Sequence, residues 1–254
     1  MTPPPEFATL TVAVEGRIGR LTLNQPRNLN PLGNDTLREL AEAATWFDST
    51  DVPIVVVTGE GRAFSAGFDL RQFGDKDAAG AQLGRAMADA VESMTALTVA
   101  AIKGPCIGGG VVLASACDMR VAAEDTTFAI PEVDLGIPLT WGGIPRLVRV
   151  IGPAMTNELV LTCRPFDAAE AKQIGFVNRV VPRGQLESTV DELAATLATK
   201  SPSVVKATKR QVAEALDEMA STRGSWADAS LMEAALADPE ARAAARRYLE
   251  SRGR

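Results

Sequence analysis

The first regular signal along the chain has a period of two. Thr9-Leu10-Thr11-Val12-Ala13-Val14 alternates, Glu15-Gly16-Arg17-Ile18-Gly19 supplies turn residues, and Arg20-Leu21-Thr22-Leu23 resumes the alternation, which predicts a hairpin. Residues 24–31 are rich in Asn and Pro and read as an irregular loop. The period then becomes helical through Leu37, Leu40, Ala41, Ala44 and Phe47, with Asn34 or Asp35 as the expected N-cap. Ile54-Val55-Val56-Val57 is a continuous β-branched run, the pattern of a strand covered on both faces. Thr98-Val99-Ala100-Ala101-Ile102 repeats it after a helical stretch over about 81–94, and 119–122 reads as a third such strand. Strand, helix, strand in this order predicts an α/β protein with right-handed crossovers and a largely parallel sheet.

Beyond Gly142 the texture changes. Helical patterns cover about 143–150, 153–163 and 167–173, a short strand is expected at 177–181, and the chain then reads as helical over about 184–249. These patterns divide the chain into a core, 1–195, and a C-terminal helical region, 196–254, of the kind that packs against a partner subunit. No internal repeat or low-complexity linker interrupts it, and no apolar run reaches the roughly 18 residues of a membrane span.

Charge and composition narrow the chemistry. With 26 basic and 32 acidic residues the formal charge is −6, which argues against a nucleic-acid partner. There is no histidine among the 254 residues, which removes Ser-His and Cys-His nucleophile pairs and His-ligated metal sites. Carboxylate, lysine, thiol and the single tyrosine, Tyr248, remain for acid–base work. Cys106, Cys117 and Cys163 form no C-x-x-C pair and read as free thiols of a reducing cytosol. The first residues, Met1-Thr2-Pro3-Pro4-Pro5-Glu6, lack the pattern of a signal peptide, so a cytoplasmic enzyme without membrane association is the expected class.

Two short motifs mislead. Gly59-Glu60-Gly61-Arg62-Ala63-Phe64 begins like a dinucleotide fingerprint, but Phe64 stands where the third glycine belongs. Ala63-Phe64-Ser65-Ala66-Gly67 resembles a nucleophile elbow without its first glycine, and no histidine exists to activate Ser65.

Two other glycine-bearing segments each follow a predicted strand: Phe64-Ser65-Ala66-Gly67-Phe68-Asp69-Leu70, and Gly104-Pro105-Cys106-Ile107-Gly108-Gly109-Gly110-Val111-Val112-Leu113. Both loops belong at the carboxyl ends of parallel strands, where ligands bind in open sheets. Consecutive glycines opening a helix leave N–H groups without intrahelical partners, so two such loops can offer two donors to one oxygen, an oxyanion hole. The competing reading is that these glycines only permit close helix–strand packing.

Together these segments resemble the crotonase superfamily (enoyl-CoA hydratase/isomerase), and the similarity runs through nearly the whole chain. It includes Asn28-Leu29-Asn30, Phe64 to Leu70, Gly108-Gly109-Gly110, Cys117-Asp118, Pro131-Glu132, Leu135-Gly136, Gly143, Arg146-Leu147, Ile151-Gly152 and Gly175-Phe176-Val177. The resemblance implies a crotonase-like (ββα)n spiral, an acyl-CoA thioester as substrate, no further cofactor, and a homotrimer or hexamer. It also implies that the N–H groups of Phe68 and Gly109 hold the thioester oxygen. Arg27, Asn28 and Leu29 map onto the family's adenine-binding loop. Ala66, Asp69, Leu70, Gly108 and Pro131 map along the pantetheine and acyl path, and Leu139-Thr140-Trp141 shapes the acyl pocket. For Asp69 a helix N-cap is the competing role. Arg242, Arg246, Arg247, Arg252 and Arg254 make a locally basic C-terminal helix, either a solvated face or a contact for the CoA phosphates.

The acid–base residues then point to a reaction. Hydratases of the family carry two glutamates; one position is Val112 here, and the other is Glu132. Two carboxylates can hold a water while one supplies a proton, whereas a single carboxylate can still move a proton between carbons. Family isomerases that convert 3-enoyl to 2-enoyl thioesters resemble this pattern. Thr140 stands where dienoyl-CoA isomerases place an aspartate, so that reaction is not expected. Glu132 should lie in an apolar pocket with a raised pKa, with Asp134 as a reserve acid. The alternatives are hydration by Glu132 alone and a catalytically impaired acyl-CoA-binding protein.

Overall fold

The computed structural model describes residues 3–72 and 77–251. Strands β1 (Leu10–Glu15) and β2 (Ile18–Leu23) form the expected hairpin, with Leu10 opposite Leu23. Helix α1 (Asn34–Asp48) buries Leu37, Leu40, Ala44 and Phe47, as its period requires. Its N-cap is Gly33 rather than Asn34 or Asp35: the extended Gly33 places its carbonyl to accept from Leu37 N at 2.9 Å, and no side chain caps the turn.

The chain continues through β3 (Ile54–Gly59), α2 (Asp77–Ser93), β4 (Leu97–Ile102), β5 (Pro105–Ile107), α3 (Gly109–Ala116), β6 (Met119–Ala123), β7 (Thr127–Ala129), α4 (Gly143–Thr162), β8 (Phe166–Asp167), α5 (Ala168–Gln173) and β9 (Arg179–Val181). The main sheet has the order β1-β2-β3-β4-β6-β9 and is parallel from β2 onward. A small second sheet, β5-β7-β8, was not expected; strands of two or three residues are too short for an alternation to register. The units β4-β5-α3 and β6-β7-α4 each give one strand to each sheet, a ββα spiral. An isolated bridge from Ser65 to Cys106 attaches the segment after β3 to the small sheet in the same way.

Both faces of the main sheet are covered, which explains the unbroken apolar runs. Val55, Val57, Ala100 and Ile102 join the principal core, whereas Ile54, Val56, Val99 and Val121 pack with Leu186, Val190 and Ala194 of α6 (Leu186–Ala198). Helix α6 is thus part of the sheet's cover. The remaining helices are α7 (Pro202–Met219), α8 (Asp228–Ala237) and α9 (Pro239–Ser251). Within α4, Gly152 leaves helical geometry (φ 74°, ψ 165°) immediately before Pro153, so the two expected helices run end to end.

Candidate active site

The segment after β3 and the start of α3 are held against each other by backbone pairing. Ser65 N donates to Pro105 O at 3.1 Å and Ile107 N to Ser65 O at 3.0 Å. The Ser65 hydroxyl donates to Asn30 O at 2.8 Å and accepts from Gly67 N at 3.1 Å. Ser65 is therefore a fully buried brace, as the failed nucleophile-elbow reading requires. A side chain on Gly67, at φ +82°, would meet Ile107 O at 2.5 Å and come within 3.5 Å of Gly109 N, so only glycine lets the two loops converge.

This convergence leaves two donors unused. Leu32 N donates to Gly67 O at 2.8 Å and Asp69 N to Leu32 O at 3.4 Å, a parallel bridge that turns the Phe68 N–H to the other edge. On α3, Val111 and Val112 both donate to Gly108 O, while Gly109 N is the first amide of the helix. Among the described residues neither Phe68 N–H nor Gly109 N–H has an acceptor, and both residues line one cavity. The glycine triplet also has a packing role. A Cβ on Gly108 would collide with the Glu132 carboxylate, one on Gly109 with the Trp141 ring, and one on Gly110 would press on Ser65 Cβ at 3.0 Å. The packing reading of the glycines is therefore met, alongside two amides left free to donate.

The cavity is about 90 Å³, and its wall includes Ala66, Phe68, Leu70, Gly108, Gly109, Pro131, Glu132 and Trp141. Eight predicted site residues are thus brought together. Glu132 Oε2 is sealed from solvent and has no hydrogen-bond partner among the described residues. Burial pushes its carboxyl up to about 7, against a smaller lowering from its own backbone N–H. Asp134 is exposed and absent from the wall, so it is not placed to act as a reserve acid. Val112, almost fully buried, lines the cavity from the first turn of α3, so the position facing Glu132's pocket there is aliphatic.

Four predicted contacts lie off the wall. Asp69 accepts from Arg71 N at 3.1 Å and pairs with the Arg71 guanidinium at 2.7 Å, capping the 3-10 turn at Leu70–Gln72; this is the N-cap role. Arg27 and Asn28 are exposed on a 3-10 turn, Pro26–Asn28, and Leu29 follows in a left-handed conformation (φ +61°). The loop is fixed beside the cavity because Ala66 N donates to Leu29 O at 2.8 Å. Buried Asn30 ties it down further, its amide donating to the carbonyls of Glu60, Ala63 and Phe64. Arg246 and Arg247 are exposed, and Arg252 and Arg254 lie outside the described residues. The three cysteines are free and buried, and burial raises the Cys106 and Cys117 thiols, so neither is poised as a thiolate.

Sequence patterns gave no signal for several wall residues: Gly80 and Ala81 on α2, Met232 on α8 and Tyr248 on α9. The C-terminal helices therefore complete the cavity within one chain. The turn carrying Trp141 is also unusual. Trp141 has φ +63°, a conformation costing on the order of 1–3 kcal/mol outside glycine, and its ring meets Phe68 edge-on at 6.2 Å between centroids.

Against this geometry, the chain compares with known proteins as follows. A family profile described as enoyl-CoA hydratase/isomerase matches residues 13–254. "Probable enoyl-CoA hydratase echA8" of Mycobacterium tuberculosis is 36% identical over 214 residues, covering 83% of each chain. A peroxisomal Delta(3,5)-Delta(2,4)-dienoyl-CoA isomerase of Arabidopsis thaliana is 35% identical over 213 residues, covering 77% of each. A crystal structure of an enoyl-CoA hydratase subunit I from Geobacillus kaustophilus superimposes with a TM-score of 0.79 at 33% identity, covering 87% of this chain and 90% of that one.

Proposed function

Since this chain belongs to the enoyl-CoA hydratase/isomerase family and has its crotonase fold, we propose that Glu132 alone moves a proton on an enoyl-CoA thioester, converting a 3-enoyl to a 2-enoyl chain. The single observation that carries this reading is the Glu132 carboxylate, its Oε2 sealed and without a hydrogen-bond partner among the described residues, on the same cavity wall as two unused backbone donors, with Val112 where a second carboxylate would stand.

The steps follow from those groups. The Glu132 carboxylate takes a proton from the carbon next to the thioester carbonyl, and the electron pair delocalises onto the carbonyl oxygen and the neighbouring double bond. Phe68 N–H and Gly109 N–H donate to that oxygen as its charge grows, so they stabilise the dienolate more than the ground state. Gly109 lies at the start of α3, whose dipole adds to the same effect. The protonated Glu132 then returns the proton to the fourth carbon, leaving the double bond conjugated with the carbonyl. A carboxyl near 7 suits both halves, since it accepts and releases a proton at small cost near neutrality. No proton is gained or lost overall, and as proposed the step draws on no metal or redox group.

In this reading the Arg27–Asn28–Leu29 loop takes the adenine end of the CoA. We extend the proposal to assembly and location: a homotrimer, or a hexamer of two trimers, in the cytoplasm. Exposed Val204, Val212 and Met219 on α7 support an interface on the C-terminal region, and the buried free thiols support a reducing compartment. Among the described residues no helix is long and apolar enough to cross a membrane.

The test is to incubate 3-enoyl and 2-enoyl thioesters separately with the protein and with Glu132→Gln. Loss of the 3-enoyl substrate, abolished by the substitution, is the expected result. Hydration of the 2-enoyl substrate as the main activity would overturn the isomerase assignment in favour of hydration by Glu132. Tight binding with turnover of neither would mark an acyl-CoA-binding protein.

A further inference from the structure

The turn Thr140–Gly143 is closed by Gly143 N donating to Thr140 O at 3.0 Å, and both central residues, Trp141 and Gly142, have positive φ (63° and 65°). Asn or Gly normally occupies both places in such a turn, so a bulky Trp persists there only if its surroundings fix it. They do so from two sides. Buried Arg146 donates through Nη1 to the carbonyls of Trp141 at 3.0 Å and Gly142 at 3.3 Å, while Asp228 on α8 accepts from Gly142 N at 2.8 Å. Arg146 is itself anchored through Nη2 to Asp89 at 2.8 Å and Glu92 at 2.7 Å, both on α2. The clamp directs the indole between α2 and α3, into the spaces left by Gly84 and Gly109; a Cβ on either glycine would collide with the ring.

We infer that Trp141 sets the length of acyl chain this site accepts, and that Arg146 and Asp228 are the positioning residues that keep its ring in place. The inference rests on the acyl-CoA reading above. Its ground is steric: the indole packs on the residue that carries one proposed oxyanion donor and meets the ring of the other, so it stands at the reacting end of the cavity. Helices α2 and α3 flank it, and its backbone is pinned, so the wall cannot swing aside without breaking the Arg146 and Asp228 bonds. An apolar cavity of about 150 Å³ holds one benzene; at about 90 Å³ this one takes an acyl tail of only a few carbons. The substrate class is therefore a short-chain enoyl-CoA.

The test uses saturated acyl-CoA thioesters of four, eight and twelve carbons, which have no double bond to shift and are not converted to a different product, titrated calorimetrically into the wild type, Trp141→Ala, Trp141→Leu and Arg146→Lys. Trp141→Leu keeps apolar packing should the alanine variant not fold. The wild type is expected to bind the four-carbon thioester about tenfold or more tighter than the twelve-carbon one. Both Trp141 variants should bring the ratio close to one by gaining long-chain affinity. Arg146→Lys, which keeps the charge but loses the planar fork, should weaken the discrimination with little change in four-carbon affinity. A length preference unchanged by the Trp141 variants, or a wild type that prefers the twelve-carbon chain, would overturn the inference while leaving the acyl-CoA reading intact. Failure of every thioester to bind the wild type would overturn that reading first, and this inference with it.

Discussion

Arg146 and Glu132 lie 14 positions apart in the chain, and the Arg146 side chain and the Glu132 Oε2 are both withdrawn from water, but they are treated differently. Arg146 contacts two carboxylates and two carbonyl oxygens. Glu132 Oε2 has no such partner among the described residues, and its surroundings include Gly108, Pro131, Leu135 and Ile137. Although the Arg146 Nε has no partner of its own, a buried charge paired with opposite charges holds structure; one with no opposite charge beside it stores a bias toward its neutral form. The fold uses the first to shape the cavity wall and, on the reading proposed here, the second to move a proton.

The comparison breaks most severely if Arg146 loses its charge. Arg146→Met leaves the buried Trp141 and Gly142 carbonyls without their donor and leaves Asp89 and Glu92 only Arg85 and Arg149, and about 3–5 kcal/mol of stability should be lost. Urea denaturation measures this; a loss near zero would mean that the cluster is not structural. Glu132→Gln should act in the opposite direction and only at higher pH. Its carboxyl sits at about 7 in the folded protein against 4.5 ordinarily. Below that lower value it is neutral in both states, and the wild type carries no penalty. As pH rises through about 7 the folded protein loses stability relative to the unfolded chain, reaching on the order of 2–3 kcal/mol. Glu132→Gln should therefore unfold at higher urea than the wild type near pH 8 and at the same urea near pH 4, with a pH-independent difference counting against a buried, unpaired acid. The smallest change sharpens the contrast. Val112→Glu places a like charge in the Glu132 cavity and should raise the pKa seen in the kcat/KM profile by about one unit. An unmoved profile would mean that this position does not sense the reacting carboxylate.

How far the sequence reveals all this depends on the separation of the residues involved. The β-branched runs carry their double-sided burial openly, and the two glycine segments disclose their convergence because each follows a strand of one parallel sheet. Glu132 and Val112 are legible through the family resemblance alone, and they follow β7 and β5, strands of the small sheet that are too short to register as a pattern. Tyr248 and Met232 are not, because no local pattern tells which face of a late helix folds back on a cavity built more than 80 residues earlier. The Trp141 clamp is hidden likewise, since Asp89, Arg146 and Asp228 meet only in three dimensions. Asp69 shows the reverse case. Its place in a recognisable segment suggests substrate contact, but Arg71, two residues away, pairs with its carboxylate and leaves it a local cap.

The most direct measurement is exchange at the α-carbon of a saturated short-chain acyl-CoA in deuterated water, followed by NMR. Here the double bond, the water nucleophile and the product are all removed, leaving only enolate formation between one acid and two amides. The wild type should replace α-hydrogen with deuterium, and Glu132→Gln should slow that replacement at least about a hundredfold while still binding the thioester. Equal exchange in both proteins, or none in a wild type saturated with thioester, would contradict the account.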